Sequence, residues 1–219
     1  MPNEEVSMDF VRRAVDSTRG LLKRYGPSHM KKVLWDREFT GDHWDFIDIT
    51  VGDCVYPYLE RYVKGGSILD LGCGPGNTAT ELADTAYRLY VGVDISEAAL
   101  DKAMRRSQKD GRTAKNRFAQ ADFVDYVPTG KFNVILFRES LYHVPLGKVK
   151  STLDRYAEYL TDDGVFVVRL KTLGSHDNRT KSRPKAMLDI VAREYDVLEQ
   201  GEHGDLGSTI IVFRPRQEN

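Results

Sequence analysis

The chain has 219 residues, 41% of them hydrophobic and 30% charged, which suffices for one domain of ordinary size and is too short for two substantial ones. These fractions exclude collagen-like and disulfide-scaffold proteins, and Lys+Arg of 32 against Asp+Glu of 33 leaves a net charge of −1, which gives no support to a nucleic-acid binder. There is no apolar run of about 18 residues, no basic-then-apolar segment opens the chain, and the two cysteines, Cys54 and Cys73, give no sign of a secreted framework, so a cytoplasmic globular domain is expected.

From about Val6 to Leu22, apolar positions recur at near-helical spacing among Arg and Lys, and Gly26-Pro27 ends that helix. The stretch Val33 to Ile49 holds both tryptophans, Trp35 and Trp44, without a clean period, and reads as a loop packed by its own aromatics. A helix is predicted over Gly52–Val63, with Val55, Leu59, Tyr62 and Val63 on one face and Gly65-Gly66 at its end. Short apolar runs then alternate with amphipathic ones. Strands are predicted at Ser67–Leu71, Leu89–Val93, Asn116–Gln120, Phe132–Phe137, Gly164–Leu170, Tyr195–Gln200 and Thr209–Phe213. Helices are predicted at Asn77–Thr85, at Ser96–Lys109 with Ser96 as cap and Ala99, Leu100, Ala103 and Met104 as its apolar stripe, from Pro145 through Leu160, and at Lys185–Arg193. This serial alternation predicts a doubly wound α/β fold with a mostly parallel seven-stranded sheet. The last two strands are separated by only eight residues, too few for a crossover helix, so they should pair antiparallel near the edge.

The strongest local signal is Asp70-Leu71-Gly72-Cys73-Gly74-Pro75-Gly76, a strand that ends in an acid and turns through three alternate glycines into a helix. Such a turn lets a ligand approach the main chain. The second strand ends in Asp94, 18 residues past Gly76, where an acid can accept both hydroxyls of a ribose. A dinucleotide enzyme would instead show G-x-G-x-x-G to seat a pyrophosphate. Here the spacing is G-x-G-x-G behind Asp70, which suits an ammonium better than a phosphate.

From Gly52 onward, ILDLGCGPGNTA, VGVDIS, AQADF and FNVILFRESLYHV, in that order, resemble the class I S-adenosylmethionine-dependent methyltransferase family. The resemblance implies a Rossmann-like domain over 51–219, preceded by a helical and aromatic lid over 1–50, and S-adenosyl-L-methionine as cofactor. It implies that Gly72 and Gly74 face the methionine and ribose portions, with Asp70 near the amino group. Asp94 would take the ribose diol and Ile95 the adenine face. Asp122 and the Phe123 amide would take the adenine edge, and the Arg138 main chain the methionine end. Trp35 through Trp44 also resembles a W-x-x-x-[FY]…G…W lid stretch of small-molecule methyltransferases, which would lay Trp44 over the sulfonium.

After the fourth long strand, Glu139, Tyr142 and His143 are the candidate catalytic groups, and an ordinary imidazole pKa of about 6.5 suits a proton acceptor. The segment Glu139-Ser140-Leu141-Tyr142-His143 resembles enzymes that N-methylate sugar amines of lipo-chitooligosaccharides, so a glycan or amino sugar is one acceptor class. No metal is expected, because Arg169-Leu170-Lys171-Thr172 offers no acidic ligands. The basic clusters at Asp101–Arg117 (seven Lys/Arg, two acids) and Arg169–Lys185 (six, one acid) read as solvated faces, the second able to attract a phosphorylated or carboxylate substrate. The expected activity is methyl transfer to O or N of a small molecule by a monomer or homodimer, without nucleic acid or membrane. A tRNA or protein methyltransferase and a non-catalytic cofactor-binding regulator stay open as alternatives.

Overall fold

A computed structural model describes residue 15 and residues 17–40, 52–171, 178–204 and 207–216, without the side chains of 178–182. Helix α1 covers residues 17–25, and α2 covers Ser28–Thr40. Then follow α3 (Tyr56–Val63), β1 (Ser67–Leu71), α4 (Asn77–Glu81), β2 (Leu89–Asp94), α5 (Glu97–Lys109), β3 (Asn116–Gln120), β4 (Phe132–Arg138), α6 (Val149–Ala157), β5 (Leu160–Lys171), α7 (Asn178–Glu194), β6 (Asp196–His203) and β7 (Ser208–Arg214).

The seven strands form one sheet in the order β3-β2-β1-β4-β5-β7-β6. β1 through β5 pair in parallel, while β7 is antiparallel to both β5 and β6. This is the expected α/β sheet, and it is Rossmann-like. The hairpin does not simply cap the edge, because β7 inserts between β5 and β6 and leaves β6 outermost.

Alternation along β4 shows why the sheet is apolar on both sides. Ile135 and Phe137 point into one core with Leu153 and Tyr156 of α6 and Met187 and Val191 of α7, while Val134 and Leu136 join the opposite core with Leu59 and Val63 of α3. Side chains alternate faces with period two, so a strand covered by helices on both sides must be apolar at every position. Burying a Leu- or Phe-sized side chain contributes about 1.5–3 kcal/mol. The cores therefore hold the strand ends firmly in place.

Several boundaries differ from the sequence reading. The helix after the glycine turn stops at Glu81, and a 3-10 turn at Asp84–Ala86 replaces the rest. Pro145 leads into a 3-10 turn at Leu146–Lys148 before α6 starts at Val149. On α5, Ser96 caps as predicted, its Oγ accepting from the Ala99 amide at 3.2 Å, but Met104 is 47% exposed. Ala103 instead closes that stripe against Gly76, where an added Cβ would stand 2.7 Å from the Ala103 Cβ.

The largest correction concerns residues 33–40, read as part of an aromatic loop and found to lie in the helix Ser28–Thr40. Only Phe39 of α2 is buried, so no apolar stripe announces the helix. Ion pairs hold it instead: Lys32 meets Asp36 one turn on at 2.6 Å and Glu97 of α5 at 3.0 Å. Asp36 also accepts from Ser96 Oγ at 2.8 Å and from the Ala98 amide at 3.3 Å, serving as a second cap for α5. Trp44 and the rest of 41–51 lie outside the described residues.

Candidate active site

A cavity of about 500 Å³ opens at the carboxyl ends of β1, β2 and β4, beneath α1 and α2. That is the place where open α/β sheets bind ligands, and the volume falls within the ordinary range for small-molecule sites. Every candidate site residue read from the sequence that lies among the described residues lines it; Trp44 lies outside them.

Asp70 stands one residue before the end of the fully buried β1, and burial pushes its carboxyl up to about 6. Its Oδ2 accepts from the Tyr90 hydroxyl at 2.6 Å, whereas Oδ1 has no hydrogen-bond partner among the described residues. A buried, half-satisfied carboxylate facing a cavity is costly unless a ligand completes it. Gly72 follows with φ +82°, and a Cβ there would meet the Ser140 Cβ at 2.5 Å. Ser140 is locked by donating to the Leu71 carbonyl. The turn therefore needs glycine for both conformation and space.

Asp94 plays a more structural part than a lone ribose acceptor. Its Oδ2 accepts from the Gly74 amide at 2.8 Å and its Oδ1 from the Ser96 amide at 2.9 Å, so it ties the glycine turn to the start of α5. Burial pushes its carboxyl up to about 6 against the pull of those amides. Each carboxylate oxygen retains a second lone pair for a ligand.

The next two candidates meet the helical cover. Asp122 accepts from Lys31 Nζ at 2.8 Å and Ser28 Oγ at 3.1 Å, both from α2. It also holds the Val124 amide at 3.1 Å, which fixes the turn after β3. Phe123 is anchored through its carbonyl by the Tyr156 hydroxyl at 2.6 Å and Arg155 at 2.8 Å. Phe39 of α2 reaches across so that a Cβ on Gly74 would lie 3.7 Å from its ring.

Arg138 contributes more than main chain. Its guanidinium pairs with Asp53 at 2.6 Å, and Asp53 also reaches Arg169 at 3.2 Å. Arg169 continues to Glu139 at 2.6 Å, and Glu139 accepts from the Lys171 amide at 3.0 Å. Glu139 has φ +56°, a left-handed conformation fixed by that ladder. It is thus committed to an ion pair, with burial nevertheless raising its pKa above the ordinary value.

His143 stands at the far end, its ring 4.5 Å from the Tyr142 ring and 4.9 Å, edge-on, from that of Trp35. Burial, then the charges of Lys23, Arg24, Arg183 and Lys31, push its pKa down to about 3. The expectation of an imidazole titrating near neutrality is corrected: this ring is neutral throughout the physiological range. Burial raises the Tyr142 phenol further above its ordinary value.

Sequence reading missed Asp53, Lys31 and Ser140, and had Phe39 only as the aromatic of the lid stretch. Asp53 lies in no motif, and besides the Val55 amide its carboxylate meets two arginines 85 and more residues away. Lys31 and Phe39 sit on the helix that carried no apolar period. Among the described residues no group of three or more His, Cys, Asp or Glu side chains could hold a metal ion, and no helix is long and apolar enough to cross a membrane.

Residues 54–203 match the family model for a methyltransferase domain. Among curated proteins, the chain is 28% identical over 119 residues to 27-O-demethylrifamycin SV methyltransferase of Amycolatopsis mediterranei, covering 51% of this chain and 44% of that one. It is 27% identical over 169 residues to the ubiquinone biosynthesis O-methyltransferase of Nitrosococcus oceani, covering 68% of this chain and 70% of that protein. The match thus spans less than half the length of the rifamycin enzyme and of two further curated relatives, at 44% and 33%. Among solved structures, N-methyltransferase NodS of Bradyrhizobium japonicum in complex with S-adenosyl-L-homocysteine superposes with a TM-score of 0.64 at 19% identity, covering 85% of this chain and 98% of that one. Because the family model covers well over half of its residues, the chain belongs to the methyltransferase-domain family.

Proposed function

We propose that this protein transfers a methyl group from S-adenosylmethionine to an oxygen or nitrogen atom of a small molecule. The observation that carries the reading is the pairing of Asp70, with its unpartnered buried Oδ1, and Asp94 on either side of a glycine turn whose backbone faces one cavity. Asp70 would hold the amino group, Asp94 the ribose diol, Ile95 and Phe123 the adenine faces, and Asp122 the adenine amino group. Once bound, the cofactor supplies an electrophilic methyl group on a sulfonium. The donor complement fits it, because a cationic amine, a diol and an apolar ring each meet a matching group.

Asp122 implies a moving cover. Its Oδ2 is held by Ser28 and Lys31, so adenine must share or displace those contacts. Residues 1–50 act in this reading as a lid, with α1 and α2 excluding water from the reacting centre. Methyl transfer is an in-line displacement, for which alignment contributes most. Tyr142, His143 and Trp35 form an aromatic wall that orients the acceptor, and Glu139 braces the floor through Arg169.

The relatives' names favour small acceptors: rifamycin and ubiquinone precursors are the molecules those enzymes are named for. Release of S-adenosylhomocysteine in a screen of hydroxyl, amine, carboxylate and glycan acceptors, together with calorimetric binding of S-adenosylmethionine, tests the proposal. Failure to bind the cofactor would overturn it. Since His143 stays neutral, any activity found should show no acidic limb near pH 6.5 that disappears in His143→Ala.

A further inference from the structure

The α-amino and α-carboxylate groups of a methionine end hang on one carbon. Giving the amine to Asp70 leaves the carboxylate in need of a cation beside Asp70, in the same cavity. Among the described residues Lys23, Lys31, Arg138, Arg169 and Lys171 line that cavity. Strand register separates them. Asp70 of β1 pairs with Leu136 of β4, and Ile68, Val134 and Leu136 share one core. Side chains two apart lie on one face, so Arg138 stands on Asp70's face of the sheet, one step nearer the carboxyl edge. Arg169 and Lys171 come from β5, which β4 separates from β1, and the Arg169 guanidinium is shared by Asp53 and Glu139. Lys31 is held by Asp122 after β3, and Lys23 by Glu38, with its Nζ 3.8 Å above the Trp35 ring.

The Arg138 guanidinium is also oriented in advance. Its Nη2 donates to Asp53 at 2.6 Å, and its Cζ lies 5.5 Å from the centroid of the Tyr56 ring of α3. Its Nη1 reaches Thr78 Oγ1 at 3.5 Å, a long contact for a nitrogen with two N–H donors. Thr78 lines the cavity as well, and both its hydroxyl and the Arg138 charge favour the ionised form of Asp70. Asp70 Oδ1, which has no hydrogen-bond partner among the described residues, and Arg138 Nη1 thus present an open acceptor and an open donor of opposite charge on one wall.

We propose that the side chains of Arg138 and Thr78 hold the carboxylate of the methionine end, so that this wall recognises a complete α-amino acid and not its amine alone. The assignment rests on the methyl-transfer reading of the same cavity. A guanidinium fork can offer Nη1 to a carboxylate while Asp53 keeps Nη2 in place. Holding the fork before the ligand arrives lowers the ordering cost of binding. Asp53, which belongs to no motif, thereby becomes a positioning residue for Arg138.

The test is calorimetry on the full chain with S-adenosylhomocysteine, its decarboxylated analogue S-adenosyl-3-thiopropylamine and 5′-methylthioadenosine, which has neither amine nor carboxylate. The wild type should bind S-adenosylhomocysteine about tenfold or more tighter than the decarboxylated analogue, as a charge-assisted contact implies. Arg138→Gln should reduce that preference to about twofold or less. Both ligands keep the amine, so any change at Asp70 cancels from the ratio. The affinity for 5′-methylthioadenosine should be the same in variant and wild type. Arg138→Gln leaves Asp53 one arginine short. Should it fail to fold, Arg138→Gln combined with Asp53→Asn removes both members of the ion pair and gives the same comparison. Lys171→Gln, on β5, should keep the wild-type preference. A wild type indifferent to the carboxylate, a preference that survives loss of Arg138, or one lost in Lys171→Gln would each overturn the proposal. Equal weakening of all three ligands in the Arg138 variants would mark a structural role and overturn it too. If no ligand binds the wild type, the methyl-transfer reading falls; if all bind without regard to the carboxylate, only the Arg138 assignment is lost.

Discussion

The glycine-turn end of the cavity and the His143 end are built from different materials. At the first, strand ends and main-chain amides do the shaping: Gly74 and Ser96 amides grip Asp94, Gly72 turns against Ser140, and Asp70 projects from a strand buried on both faces. At the second, long side chains from α1, α2, α7 and the turn after β4 converge, and ion pairs hold much of the wall. The first end is as rigid as the sheet it grows from. The second depends on helices that pack by charge and can be moved or reshaped without disturbing the core. One end can therefore stay constant for a common ligand while the other is adapted to a particular acceptor.

Removing Asp94 should show the largest effect, because it braces the glycine turn and is the proposed ribose acceptor. Asp94→Ala should weaken S-adenosylmethionine binding from roughly tenfold to over a hundredfold in calorimetry, the range expected for a lost charge-assisted hydrogen bond. Unchanged affinity would mean that the glycine-turn end is not the cofactor end. Gly72→Ala strikes the same end through geometry alone. With φ +82° and a Cβ directed at Ser140, it should cost about 1–3 kcal/mol of stability in chemical denaturation.

Asp70→Asn separates stability from binding. The folded carboxyl sits at about 6, above its ordinary value of 3.8, so the ionised form is penalised above pH 6 and the penalty disappears as pH falls from 6 towards 4. The asparagine variant should therefore be more stable than the wild type near neutral pH, by about 1–3 kcal/mol, and the gain should shrink below pH 6 and vanish near pH 4. It should bind S-adenosylmethionine more weakly at neutral pH. A variant that is less stable at every pH would show that the Tyr90 hydrogen bond, and not desolvation, dominates at this position.

The smallest effect is expected at the other end's scaffold. Asp36→Ala removes the second cap of α5 and the link between α2 and α5, which should cost about 1 kcal/mol, as lost caps typically do. Hydrogen exchange should rise in α2 while β1 and β4 remain protected. Exchange rising equally in the strands would contradict a cover that is separable from the core.

Legibility followed this division. The run Phe132–Phe137 announced a doubly covered central strand, and even the short Asn116–Gln120 emerged as β3 in the predicted place. The same sequence logic missed α2, whose exposed charges carry no period, and placed Met104 in a stripe that Ala103 and Gly76 close without it. It listed Glu139 and His143 side by side as candidate acid–base groups. Folding gave one an arginine partner and left the other a neutral ring amid cations.

The succession of strands along the chain, the apolar cores, the glycine turn and the acids that flank it were determined by the sequence alone, because periodicity, turn chemistry and main-chain approach are local properties. The insertion of β7 between β5 and β6, the Asp53–Arg138–Arg169–Glu139 ladder and the cationic surroundings of His143 were decided only by tertiary structure. Charge acts through space, and its sign at any point depends on which distant side chains the fold delivers there and how much water it removes.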